Sequence, residues 1–409
     1  MGLPWSLFHR CFMSDATLPD AERQKRGKIA LLAASFYCVL LVANVSYLLP
    51  LYYARVGYTP QESGWLVSGF YLVSVISRLF LGNVILSLGF RRVFLLAGIL
   101  SVASSVGVAA TELNFWLALA SRAALGLGSS LFQVGLATYQ ALAFKKEERA
   151  GAYSVIMAGG LAPMMTAVPL ADWLLFSGQS ELYIVIPIVS CVAAVLITGR
   201  LPVMDDAVPQ QQTAHSRNPL HGIADCFKIP FFRLAIFSLF LFTFTDAVSA
   251  FMSPMTNSFG FAASFFLTAN AVVGVCVRLF LGRILDKYPR WKLSVPILVL
   301  MLAALLLASV SPTKTTLILF GMVFGIGMGF GFPLNLALVS DGVPAALQPQ
   351  AISMAWFVMG VNFGAVPLIL GWLGGAVGPV AAFRILSGLA LAGACLLAML
   401  WMRQINSGN

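Results

Sequence analysis

Apolar runs of about 20 residues, repeated down almost the whole chain and separated by short polar breaks, constrain this sequence more than any other feature. A helix of that length is about 30 Å long, the thickness of a bilayer's hydrocarbon core. Only 10% of the 409 residues are charged. A water-soluble domain carries about 25%, so this chain cannot cover so much apolar surface with a solvated one. The expectation is an all-α integral membrane protein.

Twelve runs can be delimited, at 29–53, 63–85, 92–111, 114–142, 151–176 and 182–200, then at 231–256, 262–284, 292–311, 315–340, 350–374 and 379–402. Short connections make successive spans antiparallel. The longest polar stretch, Leu201 to Lys228, contains Asp205, Asp206 and the run Gln210-Gln211-Gln212, the composition of a linker. The expected organisation is a tail (1–28), a six-helix bundle (29–200), the linker (201–228), a second bundle (229–402) and a tail (403–409).

Loop charge gives the orientation. With the N-terminus inside, 19 of the 25 Lys and Arg residues fall on the cytosolic side and only Arg55 and Lys314 outside; four arginines lie within spans. Positive residues accumulate on the cytosolic side, so both termini are expected there. The same distribution accounts for the formal charge of +10 without nucleic acid. The short loops and tails favour a bacterial inner membrane. Six scattered cysteines form no CxxC pair, and His9, His215 and His221 all fall in cytosolic segments. No metal, cofactor or nucleotide site is expected.

An internal repeat divides the chain. Arg78-Leu79-Phe80-Leu81-Gly82 closes span two, and Arg278-Leu279-Phe280-Leu281-Gly282 closes span eight. Ala167-Val168-Pro169-Leu170 in span five is echoed by Ala365-Val366-Pro367-Leu368 in span eleven, at nearly the same offset. Six spans per repeat, an even number, leave the two halves parallel.

These residues resemble the major facilitator superfamily of secondary transporters, whose two parallel six-helix halves enclose a site at mid-membrane. Of the superfamily's signature after span two, G-x-x-x-D-[RK]-x-G-x-[RK]-[RK], the second half keeps the core: Gly282, Asp286, Lys287 and, after Pro289, Arg290 and Lys292. The first half keeps Gly82, Gly89, Arg91 and Arg92 but has Leu86 and Ser87 where an acid and a base belong. The resemblance implies that these loops latch the cytosolic side, the charged latch here relying on Asp286. Arg122-Ala123-Ala124-Leu125-Gly126-Leu127-Gly128 resembles the family's R-x-x-x-G-x-G motif. The antiporter motif of span five is incomplete, because Ala162 precedes Pro163 where the family has glycine.

Charges at bilayer depth are costly and point to function or to a specific partner. Arg122 heads a stripe with Ser129, Gln133 and Gln140, all within about 20° of one line along about 27 Å of helix. Asp246, the acid near mid-membrane in span seven, shares a face with Ser238, Thr245, Ser249 and Ser253. Span one offers Tyr37, Asn44 and Tyr47; span ten offers Asn335; Trp356 is a candidate cavity aromatic. The resemblance implies that spans one, four, seven and ten line the cavity. Arg122 is read as a substrate or coupling residue, or else as a clamp on backbone carbonyls. Asp172 and Arg384, near the outer ends of their spans, are left without a role.

The functional expectation is a monomeric secondary transporter, not an enzyme, moving a small organic molecule by alternating access. Proton-coupled export with Asp246 carrying the proton is the main reading. Uptake of an organic anion, its carboxylate paired with Arg122, is the second. A passive channel and a membrane enzyme fit less well, since no selectivity ring and no intramembrane cluster of metal ligands is visible.

Overall fold

A computed structural model describes residues 20–109, 114–144, 149–202, 219–281, 289–344 and 347–407. Its regular elements among those residues are all helical. Ten helical stretches are long and apolar enough to cross a bilayer, which makes this an integral membrane protein. Gly282, Asp286 and Lys287 lie outside the described residues, as do most of the linker and both chain ends.

The first half contains α1 (Asp20–Val45), a 3-10 turn (Ser46–Leu48), α2 (Leu49–Val56), α3 (Pro60–Leu88), α4 (Phe90–Ala109), α5 (Phe115–Ala143), α6 (Arg149–Phe176) and α7 (Ser180–Thr198). After a short α8 (Pro219–Lys228) come α9 (Pro230–Ala250), α10 (Ser253–Asn257), α11 (Ser264–Leu281), α12 (Arg290–Val310), α13 (Lys314–Asp341), α14 (Gln348–Val377) and α15 (Pro379–Ser407). The face where α1 begins and α15 ends is called the terminal side below, and the opposite face the far side.

Three differences from expectation have physical causes. Runs one and seven are each interrupted near the far side rather than continuous. Pro50 and Pro254 stand in the first turns of α2 and α10, where the missing N–H is tolerated but a continuous helix is not. Next, α1 starts at Asp20, ahead of the apolar run. Its opening turns are charged, and hydropathy does not register a helix that continues into water. An i,i+4 contact between Glu22 and Arg26 accompanies that extension. Finally, the end of the linker is helical: α8 buries Cys226 and sets Phe227 edge-on to Phe232 of α9.

Packing follows one scheme in both halves. In the first, α1 packs on α6 and α7, α3 and α4 pack on α5, and α4 packs on α7. In the second, α9 packs on α14 and α15, α11 and α12 pack on α13, and α12 packs on α15. Across the divide, α3 lies on α14 and α6 on α11. Small residues permit these approaches where lipid supplies no hydrophobic drive between helices. Gly321 and Gly325 of α13 rest on the α11 backbone at Phe266 and Asn270, with Gly329 one turn further against Val277. Gly126 lies against the Phe70 carbonyl, so the space it leaves is taken by α3. Between the halves, Gly64 and Gly371 pack backbone to backbone, while Gly360 and Gly364 receive Val75 and Leu72.

Short connections are held by local chemistry. Thr59 and Glu62 form a reciprocal capping box at the start of α3, Thr313 and Thr316 form another before α13, and Asn114 caps α5. Gly89, at φ +74°, is the single residue joining α3 to α4, a backbone state that side-chain-bearing residues rarely adopt.

Candidate functional site

The two halves are joined at the far side. Tyr47 meets Phe251 edge to face at 5.4 Å and lies 6.3 Å from Phe363, while Tyr71 lies 5.8 Å from each of the same two rings. Two aromatics from the first half thus interlock with two from the second, in the edge-on and tilted geometries that ring quadrupoles favour. The Tyr71 hydroxyl donates to the Ala43 carbonyl at 3.0 Å, which fixes its ring. Beside this plug, the Ser253 hydroxyl donates to the Tyr47 carbonyl at 3.1 Å, so the breaks after α1 and before α10 are tied to each other. The broken helices expose backbone carbonyls that a continuous helix would have consumed.

A second tie flanks the first. Asp172 of α6 is fully buried, and its Oδ2 accepts the Ser264 N–H at 2.6 Å, capping α11 from the other half. The Thr268 hydroxyl reaches the Met164 carbonyl at 3.4 Å on the same pair of helices. Beyond the plug, a cavity of about 240 Å³ lies between the far-side ends of the halves, with Tyr58, Ser63, Val67, Phe251, Asn257 and Phe383 among its walls.

On the terminal side of the plug, polar and charged groups gather. Asp246 is partly buried and lies within electrostatic reach of Arg278 and Tyr47. The Ser249 hydroxyl is turned to the Asp246 backbone carbonyl at 2.7 Å. Arg78 donates through Nη2 to Gln133 Oε1 at 2.6 Å, and Gln133 Nε2 donates to the Ser129 hydroxyl at 3.0 Å. Arg278 donates to the Met328 carbonyl at 3.2 Å and sits 5.9 Å over the Phe332 ring. Tyr37 shares a hydrogen bond with Thr166 at 2.9 Å, linking α1 to α6. Trp356, 45% exposed, stands 5.8 Å from Phe332.

Other candidates are absorbed by packing. Arg122 is only 1% exposed. Its Nε donates to the Leu66 carbonyl at 3.1 Å, its Nη1 to the Ser46 hydroxyl at 3.3 Å, and its guanidinium lies 4.8 Å over the Phe70 ring. This geometry pins α5 to α3 and to the turn after α1, and leaves Nη2 of Arg122 buried without a hydrogen-bond partner. The Arg122–Gln140 stripe is therefore not one continuous wall: Gln140 is buried like Arg122, and only Gln133 is partly open. Asn335 accepts from Ser238 at 2.7 Å and donates to the Gly331 carbonyl, joining α13 to α9. Asn44 is buried in α1. Arg384 donates to both the hydroxyl and the carbonyl of Ser309 at the end of α12, a clamp on helix-terminal groups.

Sequence reasoning missed three residues. Arg78 and Arg278, close to the terminal ends of their spans, both turn to groups inside the bundle. The signal that marked them was the pentapeptide repeat itself. Asn362 ties α14 to α9 by donating to Thr243 Oγ1 at 2.7 Å and to the Phe240 carbonyl at 2.9 Å; nothing in its sequence context distinguished it. Of the gating residues, Arg91 and Arg92 are exposed on the terminal side, and Gly82 lies within α3. Arg91 borders a cavity of about 400 Å³ formed by helices of the first half alone, with Phe94, Tyr139, Val195 and Pro202. Among the described residues no cluster of His, Cys, Asp or Glu is arranged to hold a metal.

The described helices form a membrane bundle whose first-half and second-half helices interlock at the far side. The Major Facilitator Superfamily model matches residues 31–361, and the chain belongs to that superfamily. Its fold is similar to a mutant form of the nucleoside transporter NupG (TM-score 0.76, 18% identity, covering 91% of this chain and 99% of that one). It is also similar to the peptide transporter POT crystallised with sulfate (TM-score 0.69, 14% identity, covering 92% and 94%). At these identities the likeness concerns the fold. Comparison with curated protein sequences finds no match.

Proposed function

We propose that this protein is a monomeric secondary transporter that moves a small organic molecule by alternating access, with protons as the coupling ion and Asp246 as their carrier. In this reading the chain crosses the membrane twelve times, as two parallel six-helix repeats with both termini in the cytosol of a bacterial cell. The matching contact pattern of the two halves supports the repeat, and the loop charge supports the orientation. The carrying observation is asymmetry across the membrane. The hydrogen bonds and ring contacts described between the halves belong to the far-side plug and its flanking ties, whereas Asp246, Arg78 and Arg278 lie on the terminal side of the plug. That is the arrangement of a carrier shut to the outside with its site facing the cytosol.

Asp246 suits a coupling role because it is a partly buried carboxylate between a tyrosine of the first half and an arginine of the second. Its surroundings must therefore change when the halves rock. Export is the direction favoured by the aromatic plug and the sparse charge. Transport of an organic anion is the second reading. The specific observation in its favour is the pair Arg78 and Arg278, which replaces Arg122 as the cationic feature of the cleft.

The test is transport in proteoliposomes under an imposed pH gradient. Wild type should drive concentrative movement of its solute. Asp246→Asn should retain solute exchange at equal concentrations but lose the response to the gradient. Full gradient-driven accumulation by the variant refutes the coupling role.

A further inference from the structure

Arg78 and Arg278 stand at equivalent places in the two repeats, each four residues before the glycine that closes the pentapeptide. Each guanidinium is only partly used: Nη2 of Arg78 goes to Gln133 and Nη2 of Arg278 to Met328, while both Nε atoms are buried without any hydrogen-bond partner. Leaving a charged donor buried and unsatisfied is expensive, and finding it at both repeat-related positions is the usual sign of a missing acceptor.

A series of contacts runs from the helix of one arginine to the helix of the other. Arg278 lies over Phe332, Phe332 packs against Trp356, and Trp356 is one helical turn from Gly360, which receives Val75 of α3. Val75 is in turn one turn from Arg78, on the other side of the divide between the halves. The series thus presents a cation at each end and an exposed indole with a phenyl ring between them. With Asp246 ionised near Arg278, these three groups carry a net of one positive charge. Such a surface matches a singly charged oxyanion on an aromatic or apolar body, the acid group pairing with the guanidinium groups and the body stacking on the rings.

We propose that Arg78 and Arg278 form a divided anion-binding site which, with Trp356 and Phe332, selects aromatic monocarboxylates as the transported class. This deepens the carrier reading above and rests on it. The site draws one cation from each half, so an occupied site ties the halves together on the terminal side while the far-side plug releases.

The test uses the full-length purified protein in lipid nanodiscs, with benzoate as probe and benzamide as its neutral isostere. Wild type should bind benzoate at least about 10-fold more tightly than benzamide, because a charge-assisted pair is lost with the carboxylate. Arg78→Gln and Arg278→Gln should each weaken benzoate by about 10-fold to 100-fold and leave benzamide unchanged, abolishing the selectivity. Lysine at either position should restore part of it, since charge returns without the fork geometry. Trp356→Leu should weaken both probes alike. If an arginine serves only packing, its glutamine variant will melt at a lower temperature with the benzoate preference intact, and the proposal falls. It falls also if wild type does not bind benzoate, or does not prefer it to benzamide. In either event, gradient-driven transport of another solute would keep the carrier reading standing.

Discussion

The tie between Asp172 and Ser264 gives the sharpest test of how this protein closes. Asp172 belongs to the first half and Ser264 to the second, and the bond between them is short, buried and made by an ionisable acceptor to the first turn of α11. An N-cap contributes about 0.5–2 kcal/mol, and a hydrogen bond to a charged group about 1.5–3 kcal/mol. Against this stands the cost of holding the carboxylate in the protein. Its Oδ1 is buried without a hydrogen-bond partner, and Arg55, which is bound to the Leu175 carbonyl, offsets it only at a distance. A net of about 1–2 kcal/mol in favour of the closed far side is the reasonable balance, a factor of about 5–30 in the closed-to-open ratio. Asp172→Ala should shift the population by that factor. Asp172→Asn retains an acceptor for Ser264 and should shift it less.

The assay is the labelling rate of a cysteine at position 63 by a membrane-impermeant maleimide, in a background lacking the native cysteines. Ser63 is 4% exposed and borders the far-side cavity, so labelling reports opening of that face. Under conditions where opening is a pre-equilibrium, Asp172→Ala should raise the rate about 5–30-fold. A rate within twofold of the parent, in a variant with an unchanged melting temperature, would refute the reasoning. The far side would then be held by the aromatic plug alone.

Three further outcomes follow from the packing. Arg122→Met should destabilise the protein by about 3 kcal/mol, since it strips buried partners from Leu66 and Ser46 at once; a melt in detergent reads this, and an unaltered melting temperature contradicts the clamp. Gly126→Ala should cost about 1–3 kcal/mol, because the added Cβ collides with the Phe70 carbonyl and backbone cannot step aside. Gly388→Ala is its control: nothing lies within 4 Å of the added atom, and replacing glycine inside a helix should stabilise by about 0.5–1 kcal/mol in the same melt.

Some of this protein was legible in the residues before any coordinates. Hydropathy is a local property, so apolar runs located membrane helices to within a turn or two. Glycines of α13 pack on α11, because a missing Cβ inside an apolar run permits close approach of another helix. Helix ends in water, at Asp20 and in Pro219–Lys228, were missed for the same reason that the spans were found: an apolar-run criterion does not see a polar helix.

The site was less legible. Periodicity gives the angle of a side chain about its own helix axis but not the direction in which that helix faces. Arg122, Gln133 and Gln140 share one line on α5, yet Arg122 turns to α3 and Ser46 while Gln133 meets Arg78. The breaks at Pro50 and Pro254 were visible as prolines, but their joining through Ser253 and Tyr47 was not, being a contact between residues 206 apart. Sequence alone determined that this chain lives in a membrane, with few charges to spend there. Tertiary structure decided which groups each of those charges meets, because that depends on helix rotation and on contacts between helices that no local pattern encodes.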